Sequence, residues 1–353
     1  ASNDLSLYKI SYIKGLATHS NAEIRNMFKD MYSKIQDFEH DEQTDLAFET
    51  YFGNDSDKRK DVLSRKVDYR DDEQILTCSK HLNTKTRDYQ LENIQRKMPH
   101  VVDGLNPARR KVLAGSIMKF KQSNTKLKVF QLGGYIAEKM LYHHGSDSLN
   151  STIITMAQCF NGARNIPVLL PLGQFGTHYK GGKDAGSPRY IDTKLNKEVT
   201  DLLYPSKDMD ILEYTLIDGE YGEPKYFIPI LPTALLEDVL LPATGWKIEM
   251  WARDFNQVYN NTLSLINGQP IQKMSYFMNK FKGSYVSTDN GDYLIGSYTV
   301  RTDDKSEYVT ITSLPPRVWV DNVVEYLQEL PYTTRVRNSS TIDSVNIEVK
   351  MTT

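Results

Sequence analysis

Apolar positions recur every three or four residues in several stretches of the chain and alternate in others. That contrast predicts where helices and strands fall. Ser6–Ile13 has strand-like composition and runs into a tight turn at Lys14–Thr18. Asn21 is placed to cap a helix whose Ile24, Phe28, Met31 and Ile35 return at helical spacing. The charged stretch Phe52–Asp61 predicts loose structure before a short helix. Residues 66–90 are polar without clear periodicity and read as a linker. Pro107 suits the first position of a helix carrying Val112, Leu113, Ile117 and Met118. After a turn at Gln122–Thr125, Val129–Tyr142 predicts a second helix, broken at His143-His144-Gly145. Ser146 then caps a third, with Leu149, Ile153, Ile154, Met156 and Ala157. Further on, Asp192–Leu203 predicts a helix closed by Pro205, and Glu213–Ile230 reads as strand and loop. Trp251–Ile266 and Val318–Glu329 predict helices among the strands Tyr293–Thr302, Tyr308–Thr312 and Ser344–Lys350. The pattern is mixed α and β, without internal repeats.

The 353 residues carry a net charge of −2 and ordinary globular composition, enough for about two domains. Neither a signal peptide nor an apolar run long enough for a membrane span is present. Cys78 and Cys159 match no zinc or disulfide pattern, which suits a reducing compartment. The distribution of charge changes the picture. Between Arg96 and Lys128 stand nine Lys/Arg and one acid, Asp103, whereas Asp37–Asp57 is acidic. Such a block points to a polyanion, and two helices around a Gly-containing turn beside it make a helix-turn-helix pattern. Lys119, Lys121, Lys126 and Lys128 read equally well as solvated charge. Asp55-Ser-Asp57 reads as a solvated turn rather than a metal pair.

One loop carries candidate chemistry. Gly173–Tyr190 follows the apolar run Ile166–Leu172 and holds His178, Lys180, Lys183 and Arg189 before ending on Tyr190. A phenol can attack a phosphodiester while an adjacent guanidinium steadies charge on the phosphoryl oxygens. The plainer reading is a surface loop that ends on a half-buried tyrosine. Gly181-Gly182 reads as a turn, because no helix start or Lys-Ser/Thr pattern follows it.

Val102–Leu113 (Val-Asp-Gly-Leu-Asn-Pro-Ala-Arg-Arg-Lys-Val-Leu), Tyr142–Gly145, Gly173–Thr177, Gly181–Asp184 and Ser187–Tyr190 come in an order and at spacings that resemble the DNA-breakage core of type IIA DNA topoisomerases. The likeness covers nearly the whole chain. It is strongest to the eukaryotic-type topoisomerase II pattern and fits an origin in a large DNA virus. Tyr12–Thr18 resembles the signature near the end of the family's TOPRIM domain, with Ala17 where glycine is usual, and Thr312–Trp319 resembles part of the tower domain. The resemblance implies an α/β (α+β), multidomain chain. Residues 1–75 would be the C-terminal part of a TOPRIM domain and linker, 76–228 a winged-helix domain with the active-site tyrosine, and 229–353 a partial tower.

The resemblance also implies roles. Tyr190 would become linked to the 5′ end of a broken strand, with Arg189 and Arg96 stabilising phosphoryl charge and His144 donating a hydrogen bond. His143 would only pack. Arg109, Arg110, Lys111, Lys183 and Lys14 would contact DNA. Where the family has an isoleucine that wedges between base pairs, counting back from Trp246 finds Pro242, and proline can serve as an apolar wedge. The family's metal ligands precede the Lys14-Gly-Leu signature, so no metal or cofactor site is expected in this chain, whose ends read as those of an excised piece. Mg2+ and ATP would serve the full-length protein, a homodimer that acts on double-stranded DNA without a membrane partner. Its place would be the nucleus or, for a viral protein, cytoplasmic replication sites. Two other readings remain at this point: a non-enzymatic helix-turn-helix DNA binder, and a tyrosine recombinase or nuclease.

Overall fold

A computed structural model describes residues 19–32, 35, 37–66, 77–217, 219–303 and 306–351. The expected strand Ser6–Ile13, the turn Lys14–Thr18 and the candidate Lys14 lie outside them. The chain forms two compact units, Ala1–Tyr89 and Gln90–Thr353. The first boundary therefore falls at Tyr89 rather than at residue 75, and the expected division at 228/229 separates no compact units.

In the first unit the helix Asn21–Lys29 begins one residue earlier than expected. Ser20, not Asn21, is the cap: its hydroxyl accepts from the Glu23 amide, and the Glu23 carboxylate accepts from the Ser20 amide at 2.7 Å. The stretch expected to be loose contains the helices Thr44–Phe52 and Ser56–Ser64. Asp55 starts the second by accepting from the amides of Asp57 and Lys58 at 3.0 and 3.1 Å. Arg59 reaches back to the carbonyls of Thr50 and Tyr51 at 3.2 and 3.0 Å, closing the end of the first. The expected linker is also helical from Cys78, running through Cys78–His81 and a wide turn at Leu82–Thr86 into Arg87–Lys97.

The second unit is built around Pro107–Phe120. Asn106 accepts from the Arg109 amide at 3.0 Å and Pro107 occupies the first turn, as its fixed φ favours. The helices Val129–Lys139 and Ser146–Ala157 pack against it, burying Val112, Leu113, Leu132, Ile136, Leu149 and Ile153. Gly133 permits their close crossing: a Cβ there would lie 2.4 Å from Asn150 Oδ1. The third helix has Gly145 at its cap position rather than Ser146. An antiparallel sheet flanks the helices, with Asp192–Leu195 between Leu127–Lys128 and Leu169–Leu172. The helix expected over Asp192–Leu203 is thus a strand followed by the shorter helix Lys197–Leu203. Tyr214–Ile217 and Glu220–Pro224 form a wing-like hairpin.

The core continues through Leu231, Leu236 and Val258 without a break at residue 229. Val239–Ala243 and Trp246–Met250 form a second hairpin. At the C-terminal end, Ser297–Asp303, Ser306–Ser313, Ile347–Met351 and Thr333–Asn338 make a four-stranded antiparallel sheet in that spatial order. Leu314 and Val320, at the start of helix Val320–Glu329, pack on it with Ile347 and Val349.

Candidate active site

The loop Gly173–Tyr190 is braced along its length. Gly176, Gly181 and Gly182 adopt φ of 90°, 60° and 81°, conformations that side chains other than hydrogen disfavour. They also permit close packing: a Cβ at Gly182 would lie 2.3 Å from Gln158 Nε2, and one at Gly181 would lie 2.4 Å from the Trp319 ring. Gln158 donates to the carbonyls of Phe175 and Gly182 at 2.8 and 3.2 Å. The Asp184 carboxylate accepts from the Thr177 amide and hydroxyl at 2.9 and 2.7 Å. Farther along, the carbonyls of His178 and Tyr179 accept from the amides of Val320 and Asp321. His178 is buried here, and burial holds its pKa below the usual histidine value. Its partners are structural.

The braced loop delivers Tyr190 to the surface with 79% of its area exposed. Its amide donates to Ser187 O at 2.9 Å and its carbonyl accepts from Lys128 Nζ at 3.3 Å. Lys128 is anchored in turn by Asp192 at 2.9 Å. Exposed Arg189 lies with Cζ 5.7 Å from the centroid of the Phe130 ring. Lys128 and Phe130 are neighbours that sequence reasoning missed: Lys128 was one of four equivalent lysines, and Phe130 one apolar helix position.

His144 stands in the turn after Val129–Lys139, where Leu141 takes φ 51° and the Tyr142 ring meets the imidazole edge-on at 5.4 Å. Partial burial first, and then the charge of Arg96, hold its pKa below the usual value. The imidazole is therefore neutral at neutral pH, with an N–H to donate. Arg96, exposed near the end of Arg87–Lys97, is thereby brought within electrostatic reach of His144. Among the described residues, no hydrogen bond joins the Arg96–His144 group to Arg189 and Tyr190.

The basic helix requires a correction. Arg110 and Lys111, expected at DNA phosphates, are 5% and 8% exposed and fully engaged inside the protein. Arg110 donates to Asp103 from Nε at 2.8 Å and from Nη2 at 3.1 Å, and to the Leu105 carbonyl at 2.6 Å. Lys111 Nζ lies 2.5 Å from both the Met140 carbonyl and Glu223 Oε2, tying the helix to the wing-like hairpin. The three consecutive basic residues point about 100° apart, as a 3.6-residue period demands, so they cannot share a face. Arg109 lines an open cavity of about 210 Å³ with Arg164, Arg317 and Gln158. Burial, and after it the Arg164 guanidinium, lower its pKa to about 9, so it stays charged at pH 7. Lys183 is exposed on the braced loop.

Pro242 is exposed near the tip of the Val239–Ala243 hairpin, paired with Lys247; Gly245 turns the chain at φ 77°. Leu240 shares its face of the strand, as the two-residue period requires, and is also exposed. Two acids hold the foot of the hairpin. Asp238 accepts from Arg317 Nε at 2.8 Å, while Arg317 stacks on Trp251 with Cζ 4.5 Å from the ring centroid. Glu237 accepts from the amides of Asn165 and Ile166 at 3.1 and 2.8 Å.

Among the described residues no group of three or more His, Cys, Asp or Glu could hold a metal ion, and Asp55 is committed to its helix cap. No described helix is long and apolar enough to cross a membrane.

Comparison with known proteins agrees with this geometry. Residues 96–353 match the DNA gyrase/topoisomerase IV family, in its A-type polypeptide, and residues 1–95 match the C-terminal associated domain of TOPRIM. The chain is 34% identical over 376 residues to DNA topoisomerase 2 of African swine fever virus (isolate Tick/Malawi/Lil 20-1/1983), an alignment covering 98% of this chain and 31% of that protein. It is 34% identical over 374 residues to DNA topoisomerase 2-alpha of Cricetulus griseus, covering 98% and 24%. The chain thus spans about a third or less of the length of these relatives. The crystal structure of the Plasmodium falciparum topoisomerase II DNA-binding, cleavage and re-ligation domain is similar with a TM-score of 0.80 and 32% identity, over 97% of this chain and 48% of that one.

Proposed function

We propose that this chain, which belongs to the type IIA DNA topoisomerases, is the part of its protein that binds a duplex and supplies the tyrosine that breaks it. The observation that carries this reading is an exposed phenol beside an arginine at the end of a loop braced on both sides. Tyr190 Oη attacks a backbone phosphorus and the P–O3′ bond breaks. The 3′ hydroxyl departs with a proton, and the phenolic proton passes to solvent. The phosphate remains a diester, joined to Tyr190 and to the 5′ oxygen, so reversal reseals the strand without another energy source. Arg189 and Arg96 offset charge on the phosphoryl oxygens through forked donors, and neutral His144 donates one N–H to the same group.

Arg109 and Lys183 contact the DNA backbone, and Pro242, with Leu240 beside it, enters a base step and bends the duplex. The anchored foot of the hairpin supports this role, because a wedge must resist the DNA it deforms. The whole protein acts as a homodimer that passes a second duplex through the break, in the nucleus or at viral replication sites in the cytoplasm. The family implies a divalent metal and ATP, but the described residues fit neither a metal cluster nor the expected acidic pair, so no step is derived through them.

The test is to denature the full-length protein rapidly on DNA and recover protein-linked strands. The wild type should yield a covalent adduct, and Tyr190→Phe none. An adduct that survives in Tyr190→Phe overturns the assignment. Salt-sensitive binding with no adduct from the wild type leaves only the DNA binder.

A further inference from the structure

The start of the helix Val129–Lys139 does more than pack: three successive residues grip the segment that carries the nucleophile. Lys128 Nζ donates to the Tyr190 carbonyl at 3.3 Å and pairs with Asp192 at 2.9 Å. The Val129 amide donates to Ile191 O, and the Phe130 amide to Pro188 O, both at 3.1 Å. These bonds fix the backbone on either side of Arg189. They leave its long side chain free to explore many rotamers, because Arg189 is exposed and the backbone bonds do not touch its guanidinium. One contact limits that freedom. The Phe130 ring is 50% exposed, although it sits on a helix whose Val129, Leu132 and Ile136 are wholly buried. Its face lies 5.7 Å from Arg189 Cζ, within the range in which a guanidinium is attracted to an aromatic ring.

We propose that Phe130 is a positioning residue for strand cleavage: its ring holds the Arg189 guanidinium beside Tyr190 so that the phosphate meets donors already in place. The inference rests on the nucleophilic role of Tyr190. Phe130 touches neither the reacting atoms nor, on this account, the DNA. An aromatic ring suits the task because it attracts the cation without competing for the N–H donors that the phosphoryl oxygens need. A carboxylate in the same place would occupy those donors and repel the phosphate.

The experiment measures single-turnover cleavage at saturating DNA in the full-length protein, together with DNA affinity and the thermal midpoint. Phe130→Leu should slow cleavage by about two- to fivefold, the range an exposed contact of this kind supports, with affinity unchanged. Phe130→Tyr, which keeps the ring, should restore the rate. In an Arg189→Gln background, Phe130→Leu should have no further effect, since the two residues act as one unit. Unchanged cleavage in Phe130→Leu overturns the inference. A loss seen only in affinity overturns it too, by making Phe130 a DNA contact, as does a loss that persists without Arg189 or follows the thermal midpoint through both variants. Tyr190→Phe in the same assay separates the two levels: a surviving adduct overturns the functional reading and this inference together, whereas loss of the adduct beside an unaffected Phe130→Leu overturns this inference alone.

Discussion

Asp103 offers the most direct check on how the basic helix is used. Its side chain is wholly buried and its carboxylate accepts four hydrogen bonds: two from Arg110, at 2.8 and 3.1 Å, one from the Leu105 amide at 2.9 Å and one from the Phe227 amide at 3.0 Å. Asp103→Ala removes the counterion and leaves a buried guanidinium and two backbone amides without their acceptor. Breaking a buried pair by deleting one partner costs about 3–5 kcal/mol. At roughly 2–4 °C per kcal/mol for a unit of this size, the thermal midpoint should fall by on the order of 10 °C. Arg110→Met, which leaves the carboxylate without its cation, should destabilise the protein comparably. The second readout is DNA affinity against salt. Each phosphate contact contributes about −0.9 to the slope of log K against log salt. Because Arg110 is spent on Asp103, Arg110→Met should leave the slope unchanged wherever the variant remains folded. A midpoint within a degree or two of wild type, with a slope shallower by about 0.9, would refute the reasoning and return Arg110 to the DNA surface.

Three further outcomes follow from other parts of the structure. Pro242→Gly should reduce DNA bending, measured by energy transfer between end-labelled duplex arms, and slow cleavage; bending and cleavage equal to wild type would remove the wedge. Gly182→Ala should abolish most cleavage while helix content by circular dichroism stays near wild type, since a Cβ would collide with Gln158 Nε2 at 2.3 Å in a φ region that alanine disfavours. Burial keeps the His178 pKa below its ordinary 6.5 in the folded state. Below that value the unfolded chain binds the extra proton, so stability should fall as pH drops from 6.5 toward the folded pKa; His178→Gln should flatten that part of the pH profile in denaturant titrations.

The elements that were legible in the sequence depend on local rules. Pro107 at a helix start and the apolar spacing from Leu149 to Ala157 needed only neighbouring residues, and both helices are there. Asp192–Leu195 was misread because Leu195, Val199 and Leu203 fit a helical period. Its true partners, Leu169–Leu172 and Leu127–Lys128, are remote in sequence, and Thr193 is buried through that pairing. The helix over residues 78–97 escaped notice because its charged and polar residues leave little periodic apolar signal. In the site, the glycine-rich loop, Arg189 and Tyr190 stood out by composition and motif. The burial of Arg110 had a local clue in Asp103, the lone acid of the basic block, seven residues earlier. That of Lys111 had none, because Glu223 lies 112 positions away. Phe130 could not be distinguished from a core residue until the fold brought it beneath Arg189.

Peptide mapping of the covalent adduct tests the central claim most directly. After nuclease digestion of the trapped complex, the account predicts a nucleotide-bearing peptide modified at Tyr190, attached through the 5′ phosphate of a strand whose partner strand is cut at a staggered position. A 3′ linkage, or a modification on any other residue, would contradict it.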